Sequence, residues 1–194
     1  MSDVVTVVAG LPRSGTSMLM KMLEAGGLPA LTDRIRTADE DNPKGYYEFE
    51  RVKQIEHDTS WLESARGHAV KMVSALLRHL PGGYTYKIVF IRRAMPEILA
   101  SQRKMLVHRG ESTDAVDDAA MAEMFEKHLR AVDKWLIAQE NVQVLYVSYR
   151  DVLTNPKEQA SKINVFLGGG LDERAMAEVV DPDLYRNRQS PRRA

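Results

Sequence analysis

The chain has 194 residues, 44% of them hydrophobic, and this length suits one domain with a sizeable core better than two domains. Lysine plus arginine equals aspartate plus glutamate at 27 each, so the chain has no net basic field for a nucleic-acid backbone or an anionic membrane. The absence of cysteine excludes a disulfide framework, a thiolate metal site and a cysteine nucleophile. Because the sequence has no signal-peptide pattern and no apolar run near the roughly 20 residues that span a bilayer, we expect a cytoplasmic protein.

The predicted elements alternate between strands and helices along the chain. The β-branched run at 4–8 predicts a strand buried on both faces, and a glycine-rich loop joins it to a helix at 16–25. The later elements are strands at 68–73, 86–91 and 142–147 and helical stretches at 74–80, 96–108, 115–139 and 155–167. This order predicts a P-loop-containing α/β fold of three layers, α/β/α, with a mainly parallel central sheet. We expect a single domain over residues 1–180 and a polar C-terminal tail over 181–194.

The loop after the first strand is the strongest chemical motif. Gly10-Leu11-Pro12-Arg13-Ser14-Gly15-Thr16-Ser17 has the glycine spacing of a P-loop, whose N–H groups and following helix dipole form a site for a phosphate-like group. The lysine of nucleotide-hydrolysing P-loops is missing, because Thr16 stands before Ser17 and Arg13 is the only cation in the loop. The strand at 86–91 leads into Arg92 and Arg93 where a magnesium-binding aspartate is expected. The pattern therefore favours a second phosphate bound directly by guanidinium groups over a metal-dependent triphosphate site.

These residues resemble a known family. The run from Pro12 to Ser17 is similar to the 5′-phosphosulfate loop of sulfotransferases that use 3′-phosphoadenosine 5′-phosphosulfate (PAPS), in a form seen in bacterial members. Arg93 and Ser101 resemble the family's 3′-phosphate pair, and Tyr149 matches a tyrosine that lies near the adenine. Residues 42–48 also look like a segment of bacterial members, and the resemblance extends over roughly residues 4–168.

The resemblance implies transfer of a sulfuryl group from PAPS to an acceptor hydroxyl or amine by in-line displacement, with 3′,5′-adenosine bisphosphate (PAP) as product and no metal. Arg13 and Lys71 are expected to stabilise the negative charge that develops on the leaving group. Glu48 is expected to act as the base that removes the proton of the acceptor. The residues expected to bind the donor are Pro12, Arg13, Ser14, Gly15, Thr16, Ser17, Arg93, Ser101 and Tyr149, with Arg186 and Arg188 of the tail closing over its phosphate.

Three departures from the family pattern bear on these roles. Arg13 stands where many eukaryotic members have lysine, which keeps the charge, and no tryptophan lies near Met18 to stack on adenine. The Lys-x-His motif that supplies the base in cytosolic members is matched only by Lys71-Met72-Val73, which lacks the histidine. His57 is accordingly the alternative base, since imidazole is suited to proton transfer near neutral pH.

Two other functions stay open at the level of sequence. A small P-loop kinase for a nucleoside or metabolite fits the chain length and glycine spacing, and an inactive nucleotide-binding module fits the incomplete Lys-x-His motif. We expect the acceptor to be a small molecule or a carbohydrate. Neither nucleic acid nor a membrane is expected as a partner, and a homodimer is possible. The sequence does not specify the acceptor.

Overall fold

A four-stranded parallel sheet organises the chain in the computed structural model, which describes residues 4–33, 35, 47–108, 110 and 117–181. Its strands are β1 (Val4–Gly10), β2 (Ala69–Val73), β3 (Thr85–Arg92) and β4 (Val142–Ser148), in the order β2-β1-β3-β4. All three neighbouring pairs are parallel, so the carboxyl ends of the strands lie at one edge of the sheet. The predicted α/β class with a mainly parallel sheet is confirmed.

The helices flank this sheet and connect its strands. They are α1 (Thr16–Ala25), α2 (Met95–His108), α3 (Asp118–Ile137), α4 (Tyr149–Thr154), α5 (Pro156–Leu167) and α6 (Glu173–Glu178). Short 3₁₀ helices occupy Glu50–Gln54, Ser60–Ala65 and Ser74–His79. Among the described residues, none of the helices is both long enough and apolar enough to cross a membrane.

Each face of the sheet carries its own hydrophobic core. Alternate β1 residues point to opposite faces: Val7 joins the core that includes α3, and Val8 joins the core that includes α1. Because both faces are covered, Val5, Val7 and Val8 are fully buried, as the uninterrupted β-branched run predicts. The three-layer arrangement follows directly from these two cores.

Most element boundaries lie within two residues of the prediction, and the differences have local causes. Helix α1 ends at Ala25 as predicted, and α5 ends at Leu167, before Gly168 in the left-handed conformation. The stretch 74–80 was predicted as helical, and it forms a 3₁₀ turn over Ser74–His79. Helices α4 and α6 were not predicted, because each has only six residues and shows too little periodicity.

Helix α3 begins later than predicted, and some of its large apolar residues are exposed. Asp117 caps it by accepting a hydrogen bond from the Ala119 N–H at 3.1 Å. Val132 and Leu136 are buried against the sheet, whereas Met124 is exposed. The first two residues of the predicted helix, 115 and 116, lie outside the described residues.

Candidate functional site

The loop between β1 and α1 requires glycine at both of its ends. A Cβ on Gly10 would lie 2.5 Å from Ser14 Oγ and 2.8 Å from the Ile91 carbonyl oxygen. Gly15 stands before the first residue of α1 with φ of 106°, a left-handed conformation that side chains with a Cβ rarely adopt. The Ser14 N–H closes the turn by donating to the Leu11 carbonyl at 3.2 Å. The glycine spacing read from the sequence therefore has a steric cause.

Tyr149 lies directly beneath this loop. It is the first residue of α4 and is only 6% exposed, and a Cβ on Gly15 would come within 2.5 Å of its ring. The guanidinium carbon of Arg93 lies 4.2 Å from the centre of the same ring. Burial raises the pKa of the Tyr149 hydroxyl, although Arg93 opposes that rise, so the phenol is uncharged at neutral pH. Its predicted contact with adenine stays a prediction.

Arg13 and Arg93 are joined across the loop. Arg13 has φ of 68°, unusual for a residue with a side chain, and its Nε donates to Ser101 Oγ at 3.0 Å. Arg93 Nη1 donates to the Arg13 carbonyl oxygen at 3.1 Å. The fold thus brings Arg93 and Ser101, the predicted 3′-phosphate pair, into contact with the predicted phosphosulfate loop.

A buried carboxylate that was not predicted holds Arg93 in place. Arg93 Nε donates to Glu97 Oε2 at 2.9 Å, and the two side chains are only 7% and 6% exposed. Arg93 precedes α2 and Glu97 lies in its first turn, and this spacing of four residues between opposite charges is the sequence signal for the pair. The guanidinium group is therefore oriented before any ligand binds.

The end of the loop and the first turn of α1 present groups suited to an anion. Ser14 Oγ is buried, and it has no hydrogen-bond partner in the described part of the chain. Thr16 and Ser17 follow in the first turn of α1. The N-terminus of a helix, with the positive end of its dipole, suits an anion, and the predicted binding of the phosphosulfate here stays a prediction.

Lys71 and Glu48 meet at the other side of the same turn. Lys71 Nζ lies 3.5 Å from Ser17 Oγ and 3.7 Å from Glu48 Oε1. Both side chains are shielded from solvent, at 13% and 25% exposed respectively. Lys71 comes from β2 and Glu48 from the segment before the Glu50–Gln54 turn, so two of the three predicted catalytic residues, Lys71 and Glu48, are brought together beside the loop.

Other predicted residues lie apart or outside the described residues. Pro12 is exposed at the tip of the loop, and His57 is exposed on the turn after the Glu50–Gln54 helix. Residues 42–46 of the bacterial-type segment, together with Arg186 and Arg188, lie outside the described residues, so their predicted roles stay predictions.

Two polar clusters lie on the α3 side of the sheet. Arg92, the last residue of β3, pairs with Asp133 at 2.5 Å and lies 4.8 Å over the Tyr146 ring. Half-buried His128 contacts Ser74 Oγ through Nε2 at 2.9 Å, and burial lowers its pKa. Within the described ranges there is no group of three histidine, cysteine, aspartate or glutamate residues placed to hold a metal. The predicted metal independence stays a prediction.

Comparison with known proteins gives one family and several similar folds. A family model described as Sulfotransferase domain matches residues 3–188. No curated protein matches the chain.

Three solved structures have similar folds. The sulfotransferase domain from the curacin biosynthetic pathway has a TM-score of 0.56 at 13% identity, with 94% of this chain and 86% of that one covered. A sulfotransferase from Alicyclobacillus acidocaldarius has a TM-score of 0.53 at 16% identity, with 87% of this chain and 82% of that one covered. The mouse sulfotransferase SULT7A1, complexed with PAP, has a TM-score of 0.52 at 17% identity, with 93% of this chain and 63% of that one covered. These low identities establish similarity of fold alone.

Proposed function

We propose a PAPS-dependent reaction for this chain, which belongs to the sulfotransferase domain family because the family model spans residues 3–188. The reaction is transfer of a sulfuryl group from PAPS to an acceptor hydroxyl or amine. The supporting observation is that Lys71 Nζ lies 3.5 Å from Ser17 Oγ of the loop and 3.7 Å from the Glu48 carboxylate. A cation and a base thus stand together at the first turn of α1.

The donor-binding residues divide between the two ends of PAPS. The Ser14 hydroxyl, the first turn of α1 and Arg13 are proposed for the phosphosulfate, and Arg13 Nε also donates to Ser101 Oγ at 3.0 Å. Arg93 and Ser101 are proposed for the 3′-phosphate, and Arg93 is already oriented by Glu97. Binding of PAP by the mouse relative supports this choice of donor, although that likeness concerns the fold.

The proposed chemistry is a direct displacement at sulfur. The acceptor oxygen forms a bond to sulfur as the bond between sulfur and the bridging oxygen of the donor breaks, and PAP leaves. The acceptor proton passes to the Glu48 carboxylate, which stands 3.7 Å from Lys71 Nζ. Arg13 and Lys71 stabilise the negative charge that develops on the leaving group. The acceptor is a small molecule or carbohydrate.

The first experiment is calorimetric titration of the protein with PAP and, separately, with ATP and magnesium. We expect PAP to bind without magnesium, and Arg93→Ala to weaken that binding by about tenfold or more, since hydrogen bonds to charged groups contribute about 1.5–3 kcal/mol. Preferential binding of ATP with magnesium would replace the proposal with a kinase.

The second experiment measures transfer of labelled sulfate from PAPS to a panel of phenols, alcohols, sugars and amines. Lys71→Ala should lower kcat by about 10²–10³-fold, and Glu48→Gln by about 10²–10⁴-fold. The matched controls are Lys162→Ala and Glu158→Gln, because these residues form an exposed pair at 2.6 Å on α5. Tight PAP binding without transfer to any acceptor would favour an inactive binding module instead.

A further inference from the structure

A short extended segment lies along the outer side of β2. The Ala69 N–H donates to the Pro29 carbonyl at 2.8 Å, and the Leu31 N–H donates to the Ala69 carbonyl at 2.8 Å. Ala30 and Ala69 form a parallel bridge. Beyond this isolated bridge the segment turns from β2 to residue 48, because the Asp33 N–H donates to the Glu48 carbonyl oxygen.

The end of this segment binds the backbone that follows the Glu48 side chain. Thr32 Oγ1 donates to the Glu48 carbonyl oxygen at 2.8 Å, and the Asp33 N–H donates to the same oxygen at 3.3 Å. The Asp33 carboxylate accepts from the Glu50 N–H at 2.6 Å and from the Ile35 N–H at 3.1 Å. Three hydrogen bonds therefore tie residues 48–50 to residues 32 and 33.

The neighbours of Glu48 are anchored in opposite layers of the fold. Tyr47 packs against the core on the α1 side, and Phe49 packs against the core on the α3 side, with its ring 5.7 Å from that of Trp61. Tyr47 has φ of 52° and donates from its hydroxyl to Glu24 Oε2 at 2.5 Å. Such a backbone conformation costs of order 1–3 kcal/mol and persists where the surroundings hold it. The chain therefore crosses the edge of the sheet at Glu48.

We propose that Thr32 and Asp33 are positioning residues that hold the Glu48 carboxylate beside Lys71. What this placement does for the reaction rests on the proposed function, in which Glu48 accepts the acceptor proton. The placement itself rests on the hydrogen bonds of residues 32, 33 and 48 and on the 3.7 Å approach of Glu48 to Lys71. Because an error of about 1 Å in such a group lowers a rate by about 10²-fold, loss of the Thr32 hydroxyl is expected to slow catalysis.

The first test measures the placement without any acceptor. Acetic anhydride acylates the lysine amines that it can reach, and the ion pair with Glu48 holds the Lys71 side chain at 13% exposure, so acylation of Lys71 reports the pair. Peptide mass spectrometry would follow Lys71 in Thr32→Val, which loses the hydroxyl, and in the rescue variant Thr32→Ser, which keeps it. Lys162, in its own exposed ion pair with Glu158, is the internal reference.

We expect Thr32→Val and Glu48→Gln each to raise the acylation rate of Lys71 severalfold relative to Lys162, and Thr32→Ser to restore it. The double variant should react no faster than Glu48→Gln alone, because both substitutions disturb one contact. An unchanged rate in Thr32→Val, or an additional increase in the double variant, would overturn the proposal. Circular dichroism of each variant excludes unfolding as the cause.

The second test separates positioning from a general structural role. With PAPS and any acceptor that the panel identifies, Thr32→Val should lower kcat by about 10²-fold with little change in KM for PAPS. In the Glu48→Gln background the same substitution should have almost no further effect. An equal loss in both backgrounds would overturn the positioning role. If the acylation results hold and no acceptor is sulfated, the positioning stands and the proposed reaction fails.

Discussion

Replacing Gly15 with alanine tests whether the loop depends on close packing against Tyr149. The substitution has two costs, one from the backbone and one from the ring. Gly15 has φ of 106°, and its new Cβ would lie 2.5 Å from Tyr149 Cδ2 and 2.8 Å from Cε2. The ring has little room to move, because it is buried and Arg93 lies over it at 4.2 Å.

Gly27 supplies the matched control for the backbone cost. Its φ is 96°, and a Cβ there would have no neighbour within 4 Å. Gly27→Ala should therefore cost about 1–2 kcal/mol of unfolding free energy, the cost of a left-handed conformation for alanine. Gly15→Ala should cost a further 1–3 kcal/mol or so from overpacking, for a total of roughly 2–5 kcal/mol.

Urea denaturation followed by circular dichroism measures both variants. With an m-value of about 2–3 kcal/mol per molar, Gly27→Ala should lower the midpoint by about 0.5 M and Gly15→Ala by about 1–2 M. In a Tyr149→Leu background the extra loss should shrink, since the clashing ring atoms are gone. Equal midpoint shifts for Gly15→Ala and Gly27→Ala in the unaltered background would refute the packing argument.

Three further variants test the donor site and the α3 side of the sheet. Ser14→Ala should leave the urea midpoint unchanged or raise it, because it removes a buried hydroxyl with no partner among the described residues. Calorimetry of the same variant should show PAP binding weakened by about tenfold. Arg93→Met should lower the free energy of unfolding by about 3–5 kcal/mol, because it leaves Glu97 buried and unpaired. Adding Glu97→Leu should recover most of that stability without recovering PAP binding. An unchanged urea midpoint in Arg93→Met would contradict this. Burial lowers the pKa of His128 below its ordinary 6.5, so the unfolded chain takes up a proton first and stability falls as the pH falls through 6.5. Urea midpoints from pH 7.5 to 5 should therefore fall less in His128→Gln than in the parent protein or in the exposed control His57→Gln, and identical slopes would refute that assignment.

Local sequence patterns were sufficient for the first strand, the loop and the first helix. The β-branched run requires burial on both faces, and the glycines at 10 and 15 are placed where a Cβ would collide with Ser14 or Tyr149. The alternation of strands and helices likewise predicted the parallel sheet, because parallel strands need crossover connections. The β-branched run, the glycine spacing and the alternation of elements are each visible in residues close together in the chain, so periodicity and turn chemistry report them.

The sequence by itself determined all four strands, most of the helices, the loop and the residue types that resemble those of sulfotransferases. Only the tertiary structure decided which of those residues meet, because strand order and register place β2 beside β1 and carry Lys71 to Ser17, 54 positions away. The bridge of Ala30 to Ala69 likewise brings nearby Thr32 to Glu48, where the Thr32 hydroxyl donates to the Glu48 carbonyl oxygen. No local pattern encodes these contacts, since each depends on how distant segments pack against a common sheet.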